Sequence, residues 1–377
     1  MGYWGAAFKA FAQNLPSIAI NIHPLFNGSI VTYLNTTLHI TDSTIISNET
    51  FLQFQYGAHL TPTQRYDGNS LSATDASGSL PISYTDSPDG LRQWVCERAP
   101  VGKIVVQFMA EPRGDVAGVA GRNDLRANQG GVIGQGYSFL PYPPGQNQWN
   151  TTVSWTIRED VPDGTRFASS LGDSDDQSAV GRPNQLIHSL YFAVGRLQRW
   201  PAWDIGENSK GPTSNNERQF SMYWIGELPW NSTALASTTQ KLYEGTANYF
   251  NDHESDFRVF YRHDYTAFGG AGGYKSFLME YAEGSEEENP ELAIENLISH
   301  EIVHGFAITS PYTDLDKWYV EGVAECLSTI GPFIGGSLGR ETFVRWLNDN
   351  AQDYYTASPL GRTWESLITN YWTQGTQ

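Results

Sequence analysis

From about Pro16 to Glu159 the chain reads as strand after strand with no helical pattern between them, and this constrains the fold more than any other feature. The runs "SIAINIH", "SIVTYLNTTLHI", "FLQFQY", "LRQWVCE", "KIVVQFMA" and "TTVSWTI" alternate, or are rich in β-branched and aromatic residues. Turn clusters such as "PDG", "DASGS" and "PYPPG" part them. Apolar residues at period two bury one face of a sheet, and many short strands without crossover helices predict an N-terminal all-β, sandwich-like domain. Loop signals thicken at "REDVPDGT" and "GDSDDQS", which sets that domain at residues 1–170.

The character then changes, and residues 171–377 are expected to form a second domain of α+β type. "STALASTTQKLYEGTANYF" reads as a helix capped by Ser232, "FRVFYR" as a strand, and "FGGAGGYKSFLMEY" as a glycine-rich turn entering another strand. The acidic run "EGSEEENPE" reads as a solvated loop. In "ELAIENLISHEIVHGFA" the apolar Ile294, Ile298 and Ile302 recur at helical spacing, with Pro311 bounding the helix downstream. "DLDKWYVEGVAECLSTI" predicts a second helix, with Asp314 and Asp316 placed to cap it and Gly331-Pro332 to stop it. Further helices are expected at "RETFVRWLNDN" and "TWESLITNYW".

Composition narrows the classes of function. With 23 basic against 41 acidic residues the chain carries a formal charge of −18, which repels phosphate backbones, so nucleic acid is not expected as a partner. No apolar run is long enough to span a bilayer. Cys96 and Cys326 are read as buried free thiols. Five Asn-x-Ser/Thr sequons, at Asn27, Asn35, Asn48, Asn150 and Asn231, point to a secreted protein, although no signal peptide is visible and a cytoplasmic location stays open.

The chemistry is concentrated in "SHEIVHGF". On a helix, residues four apart share a face, so His300 and His304 can present ring nitrogens to one ion, with Glu301 beside them able to reach a bound water. A catalytic zinc site wants a third protein ligand. Glu321 follows His304 after sixteen intervening residues, enough for a loop and an antiparallel return, and Glu325 lies one turn further on the same face. Glu321 would bind the metal and Glu325 would hold a ligand imidazole through its other N–H.

The set "HEIVH" plus "WYVEGVAE" resembles the gluzincin zinc metallopeptidases. Weaker features, "LIHSLYFAVG", "FRVFYRHD" and "FGGAGGYKSFLMEY", resemble the glycyl aminopeptidase family within that clan, and more distantly the membrane-alanyl aminopeptidases. The resemblance implies a thermolysin-like catalytic domain and one zinc ion per chain on His300, His304 and Glu321. It further implies Glu301 as general base and a peptide substrate. The segment Gly269, Gly270, Ala271, Gly272 and Gly273 would approach substrate backbone.

Two departures from the family pattern bear on specificity. The acid that binds a substrate's α-amino group falls at Gly272 in one alignment of the double glycine, and at Lys275 in the other, so recognition of the N-terminal amine is expected to be altered. The relatives also carry a tyrosine that donates to the oxyanion, in a Pro-Tyr-x-Arg/Lys-Gly-like segment with no counterpart here, as if the catalytic domain were truncated at its C-terminus. Tyr354, Tyr355 and Tyr371 are candidates by position only and read as packing aromatics. The alternative function is a catalytically impaired protein, stapled by zinc, that binds peptide or glycan.

Overall fold

The computed structural model describes residues 15–56, 63–114, 124–158, 161–175, 177–203, 218–264, 269–282, 290–306 and 317–356. Each strand-like run named above from the N-terminal part is a strand. A seven-stranded sheet has the order Gln177–Gly181, Trp149–Trp155, Ser17–Asn27, Ile30–Thr41, Ile104–Ala110, Leu71–Asp75 and Gly78–Ser79. A three-stranded sheet, Thr50–Gln55, Leu91–Cys96 and Ile82–Asp86, shares a core with it: Ile18, Ile20, Ile22, Leu38 and Ile40 meet Phe51, Phe54 and Trp94. Strand pairing crosses residue 170, since Gln177–Gly181 lies antiparallel to Trp149–Trp155.

A third sheet joins the two halves of the molecule. Its four strands, Arg166–Ser169, Tyr191–Gly195, Gly131–Gln135 and Arg126–Asn128, are short, and the two central ones are buried at every residue. Val132, Phe192 and Val194 turn to the N-terminal core, whereas Ile133, Tyr191 and Ala193 turn to Tyr223, Ile225, Phe260 and Leu278 of the next sheet. A strand covered on both faces is apolar throughout rather than alternating.

That next sheet carries the rest. Leu197–Trp200, Phe220–Ile225, Phe257–His263, Ser276–Tyr281 and Gly269–Gly273 lie in this order, the middle three parallel and both outer strands antiparallel. Five helices are described: α1 (Pro183–Ser189), α2 (Ser232–Tyr249), α3 (Pro290–Phe306), α4 (Lys317–Ile334) and α5 (Arg340–Thr356). Parallel neighbours need a crossover, and α2 supplies the one between Phe220–Ile225 and Phe257–His263. Phe220, Met222, Trp224, Val259, Tyr261, Phe277 and Met279 alternate outward to the helical side, where Ile294, Ile298 and Ile302 of α3 cover several of them.

Local details differ from the sequence expectations for identifiable reasons. Helix α2 is capped by Asn231, whose Oδ1 accepts the Ala234 N–H at 3.0 Å, so Ser232 is its first helical residue. Helix α4 does not stop at Gly331-Pro332 but runs to Ile334 with the proline inside it. The glycine segment Gly269–Gly273 is a strand, not a turn; the turn is Tyr274-Lys275, with Lys275 at φ 47°. Cys96 is buried as expected, but Cys326 is exposed on α4. The expected capping residues Asp314 and Asp316 and the helix at "TWESLITNYW" lie outside the described residues.

Charge is buried where the third sheet meets the fourth. Arg262, wholly buried, donates to the backbone carbonyls of Asp124 and Ile133, both at 2.8 Å, and to the carboxylates of Asp124 (2.9 Å) and Glu280. Arg126 pairs with Asp264 at 2.5 Å and with Asp124 at 3.1 Å, and Arg113 reaches Asp124 at 2.5 Å. The guanidinium groups of Arg113, Arg126 and Arg262 thus face the carboxylates of Asp124, Asp264 and Glu280 in equal number, as low-dielectric burial demands.

Candidate metal centre

Helices α3 and α4 run antiparallel, and their contacts follow one another in opposite order along the two chains. His304 meets Glu321, His300 meets Glu321 and Glu325, and Ser299 meets Ser328. Ile298 and Ile302 press into the sheet, which turns the face carrying His300 and His304 towards α4. Gly305 lets α3 come close to the sheet, since a Cβ there would stand 2.7 Å from the Phe257 ring.

Three donor atoms converge at this point. His300 Nε2 and His304 Nε2 are 3.0 Å apart, and Glu321 Oε2 lies 3.2 Å from the first and 3.4 Å from the second. A tetrahedral zinc ion bonded at roughly 2.0–2.1 Å places its ligand atoms about 3.3 Å from each other, so the set fits such an ion. His300 Nδ1 faces Glu325 Oε2 at 3.1 Å; with the proton on that nitrogen, Nε2 presents its lone pair to the centre.

The electrostatics favour positive charge at the centre. Burial works against the His300 cation, but Glu321 and Glu325 outweigh it and push the imidazole up to about 10. Burial likewise opposes the Glu321 anion, yet His300 and His304 bring it down to about 2. His300 also lowers Glu325, against its own burial. Two carboxylates facing two imidazoles make the site favourable to positive charge.

Glu301 is buried beside His300, under the glycine strand. A Cβ on Gly270 would stand 2.4 Å from Glu301 Cγ and 2.6 Å from its Oε1, and one on Gly272 would stand 2.5 Å from His304 Cβ. Of Gly269, Gly270, Ala271, Gly272 and Gly273, read from sequence as an approach to substrate, Gly273 faces Ser189 O and the Tyr191 ring, whereas Gly270 and Gly272 lie directly against the helix that bears the histidines. Glycine is required there for that contact.

Two residues that the sequence did not single out reach the same strand. Tyr191 Oη donates to the carbonyl of Ala271 at 2.8 Å, and Gln135 Nε2 to that of Gly272 at 3.2 Å. Both come from the third sheet, and no spacing along the chain signals them. Among the expected tyrosines, Tyr355 is 82% exposed on α5 rather than packed, and Tyr371 lies outside the described residues.

No protein-family model matches the chain, and no curated protein matches it either. Among solved structures the fold is similar to that of an aminopeptidase N family protein from Idiomarina loihiensis. The TM-score is 0.55 at 13% identity, over 87% of this chain and 56% of that one. It is similar also to an M1 zinc metallopeptidase from Deinococcus radiodurans, a mutant solved with a Tyr-Ser-Ala substrate. Here the TM-score is 0.52 at 12% identity, over 92% of this chain and 76% of the other. The chain thus spans little more than half the length of the first of these proteins. Its fold is metallopeptidase-like.

Proposed function

We propose that the chain is a zinc-dependent metallopeptidase that hydrolyses peptide bonds. Carrying this reading is the convergence of His300, His304 and Glu321 at 3.0–3.4 Å, within a fold similar to those of M1 peptidases. These three residues would hold one zinc ion. Zinc bound there supplies Lewis-acid polarisation of the scissile carbonyl and brings the pKa of its water towards neutrality.

The chain's own residues do the rest. Glu301 takes the proton from the attacking water and returns it to the leaving amine, the acid–base work that its place beside the ligands allows. Gly270 leaves room for its carboxylate, and Glu325 orients His300 by accepting from Nδ1. Within the clan, "LIHSLYFAVG", the strand "FRVFYRHD" and "FGGAGGYKSFLMEY" support kinship with the glycyl aminopeptidases. The glycine strand brings no carboxylate for a substrate's ammonium group, which favours altered recognition of the N-terminus.

That same lack of an acid supports the second reading, a zinc-stapled protein that binds peptide or glycan with impaired catalysis. Peptide hydrolysis by the purified zinc-loaded chain, compared with Glu301→Gln, separates the two. Turnover abolished by the substitution supports the peptidase. No turnover in either chain, with zinc retained, supports the binding protein. Exposed sequons at Asn27, Asn48 and Asn231 further support secretion, testable as a mass shift on enzymatic deglycosylation.

A further inference from the structure

We propose that Ser299 is a positioning residue for the metal ligands, and that Pro332 creates the acceptor it uses. In a regular helix the carbonyl of Ser328 accepts the N–H of residue 332, and Pro332 has none. Ser328 is wholly buried, so water does not replace the missing donor. Instead the hydroxyl of Ser299, itself wholly buried on α3, donates to Ser328 O at 2.5 Å.

This bond differs from an ordinary contact between helices because it has a single acceptor at a fixed height on α4. Ser299 directly precedes His300, and Ser328 lies two turns beyond Glu321. Sliding α3 by one residue along α4 moves it about 1.5 Å, far more than the few tenths of an ångström a metal site tolerates. The hydrogen bond therefore fixes the offset that puts His300 Nε2 and Glu321 Oε2 3.2 Å apart. The far end of α4 is clamped as well. Gly245 of α2 packs so closely that a Cβ there would stand 3.1 Å from Pro332 Cα and 2.7 Å from Ser337 Cβ. Ser299 thus ties the histidine helix to a part of α4 that is already immobilised.

The inference rests on the zinc reading above, and one set of variants tests both. Zinc affinity by competition with a chromophoric chelator, and the urea midpoint of the metal-free protein, are measured for the natural chain, Ser299→Ala, Pro332→Ala and the double variant. Ser299→Ala should bind zinc roughly tenfold more weakly and unfold at lower urea. Pro332→Ala should keep its affinity, because the Ser328 oxygen has a second lone pair for Ser299. In the double variant the alanine that replaces Pro332 supplies the missing N–H, so the midpoint should recover while zinc affinity stays low. Unchanged affinity in Ser299→Ala, or affinity that returns in step with the midpoint in the double variant, would overturn the proposal alone. A natural chain that takes up no zinc would overturn the zinc reading and this inference together.

Discussion

The Cβ that Gly270 lacks would stand 2.4 Å from Cγ of Glu301, and the one that Gly272 lacks 2.5 Å from Cβ of His304. The two glycines guard different things. Gly270 faces the movable end of a glutamate, whereas Gly272 faces the root of a histidine fixed to a packed helix. Gly270→Ala should displace the Glu301 carboxylate, lowering kcat by 10²-fold or more on the order of a lost catalytic group, with zinc content and Tm little changed. Gly272→Ala should push α3 itself, lowering Tm and zinc content together. Parallel measurement of zinc, Tm and kcat on both variants separates these outcomes.

Glu325 Oε2 lies 3.1 Å from His300 Nδ1, where it would orient that imidazole as the outer partner of the proposed ligand set. Glu325→Ala should weaken zinc binding by about 10–100-fold, and Glu325→Gln, which keeps an acceptor oxygen, by less. Chelator competition reads both. Equal affinities in all three proteins would remove Glu325 from the site.

Arg262 has no exposure and bridges Asp124 and Glu280. Its replacement by Ala leaves three buried carboxylates, Asp124, Asp264 and Glu280, facing two guanidinium groups, Arg113 and Arg126, at a cost of about 3–5 kcal/mol in urea unfolding. Adding Glu280→Gln to that variant should recover part of the loss. No recovery would mean that lost packing, not charge, sets the cost.

His188 lies between the rings of Tyr137 and Tyr142, with centroids 5.3 and 4.2 Å away, and burial lowers its pKa to about 4. The folded protein thus binds a proton at His188 less readily than the unfolded chain, whose histidine titrates near 6.5. Between these two values the unfolded state holds more protons, so stability falls as pH falls through that window, by at most about 3 kcal/mol. His188→Phe should flatten this part of the stability curve relative to the natural chain. An unchanged slope would show that His188 does not titrate there.

How much of this could be read from the chain depends on how local each signal is. His300 and His304 belong to one helix turn and Ile294, Ile298 and Ile302 to its buried face, so a period in the sequence carries them. Glu321 needs one step more, a return after sixteen residues. The four-stranded sheet was illegible because its central strands, Gly131–Gln135 and Tyr191–Gly195, are buried at every residue and show no alternation, and Arg126–Asn128 is too short to display one. Gly269–Gly273 read as a turn because glycine has no side chain to mark a strand, and its reason for being glycine sits on a helix some thirty residues away. Pro332 reads as a stop, and only the hydroxyl of Ser299 shows how the helix continues through it. Gln135 and Tyr191 reach the glycine strand across 137 and 80 residues of sequence, a relation that exists only once the chain has folded.

The most direct test of the account is elemental analysis of the purified chain after zinc supplementation, repeated on His304→Ala. The account predicts about one zinc per chain, as a single three-ligand site requires, and its loss in the variant. Zinc absent from both proteins, or retained undiminished in His304→Ala, would contradict it.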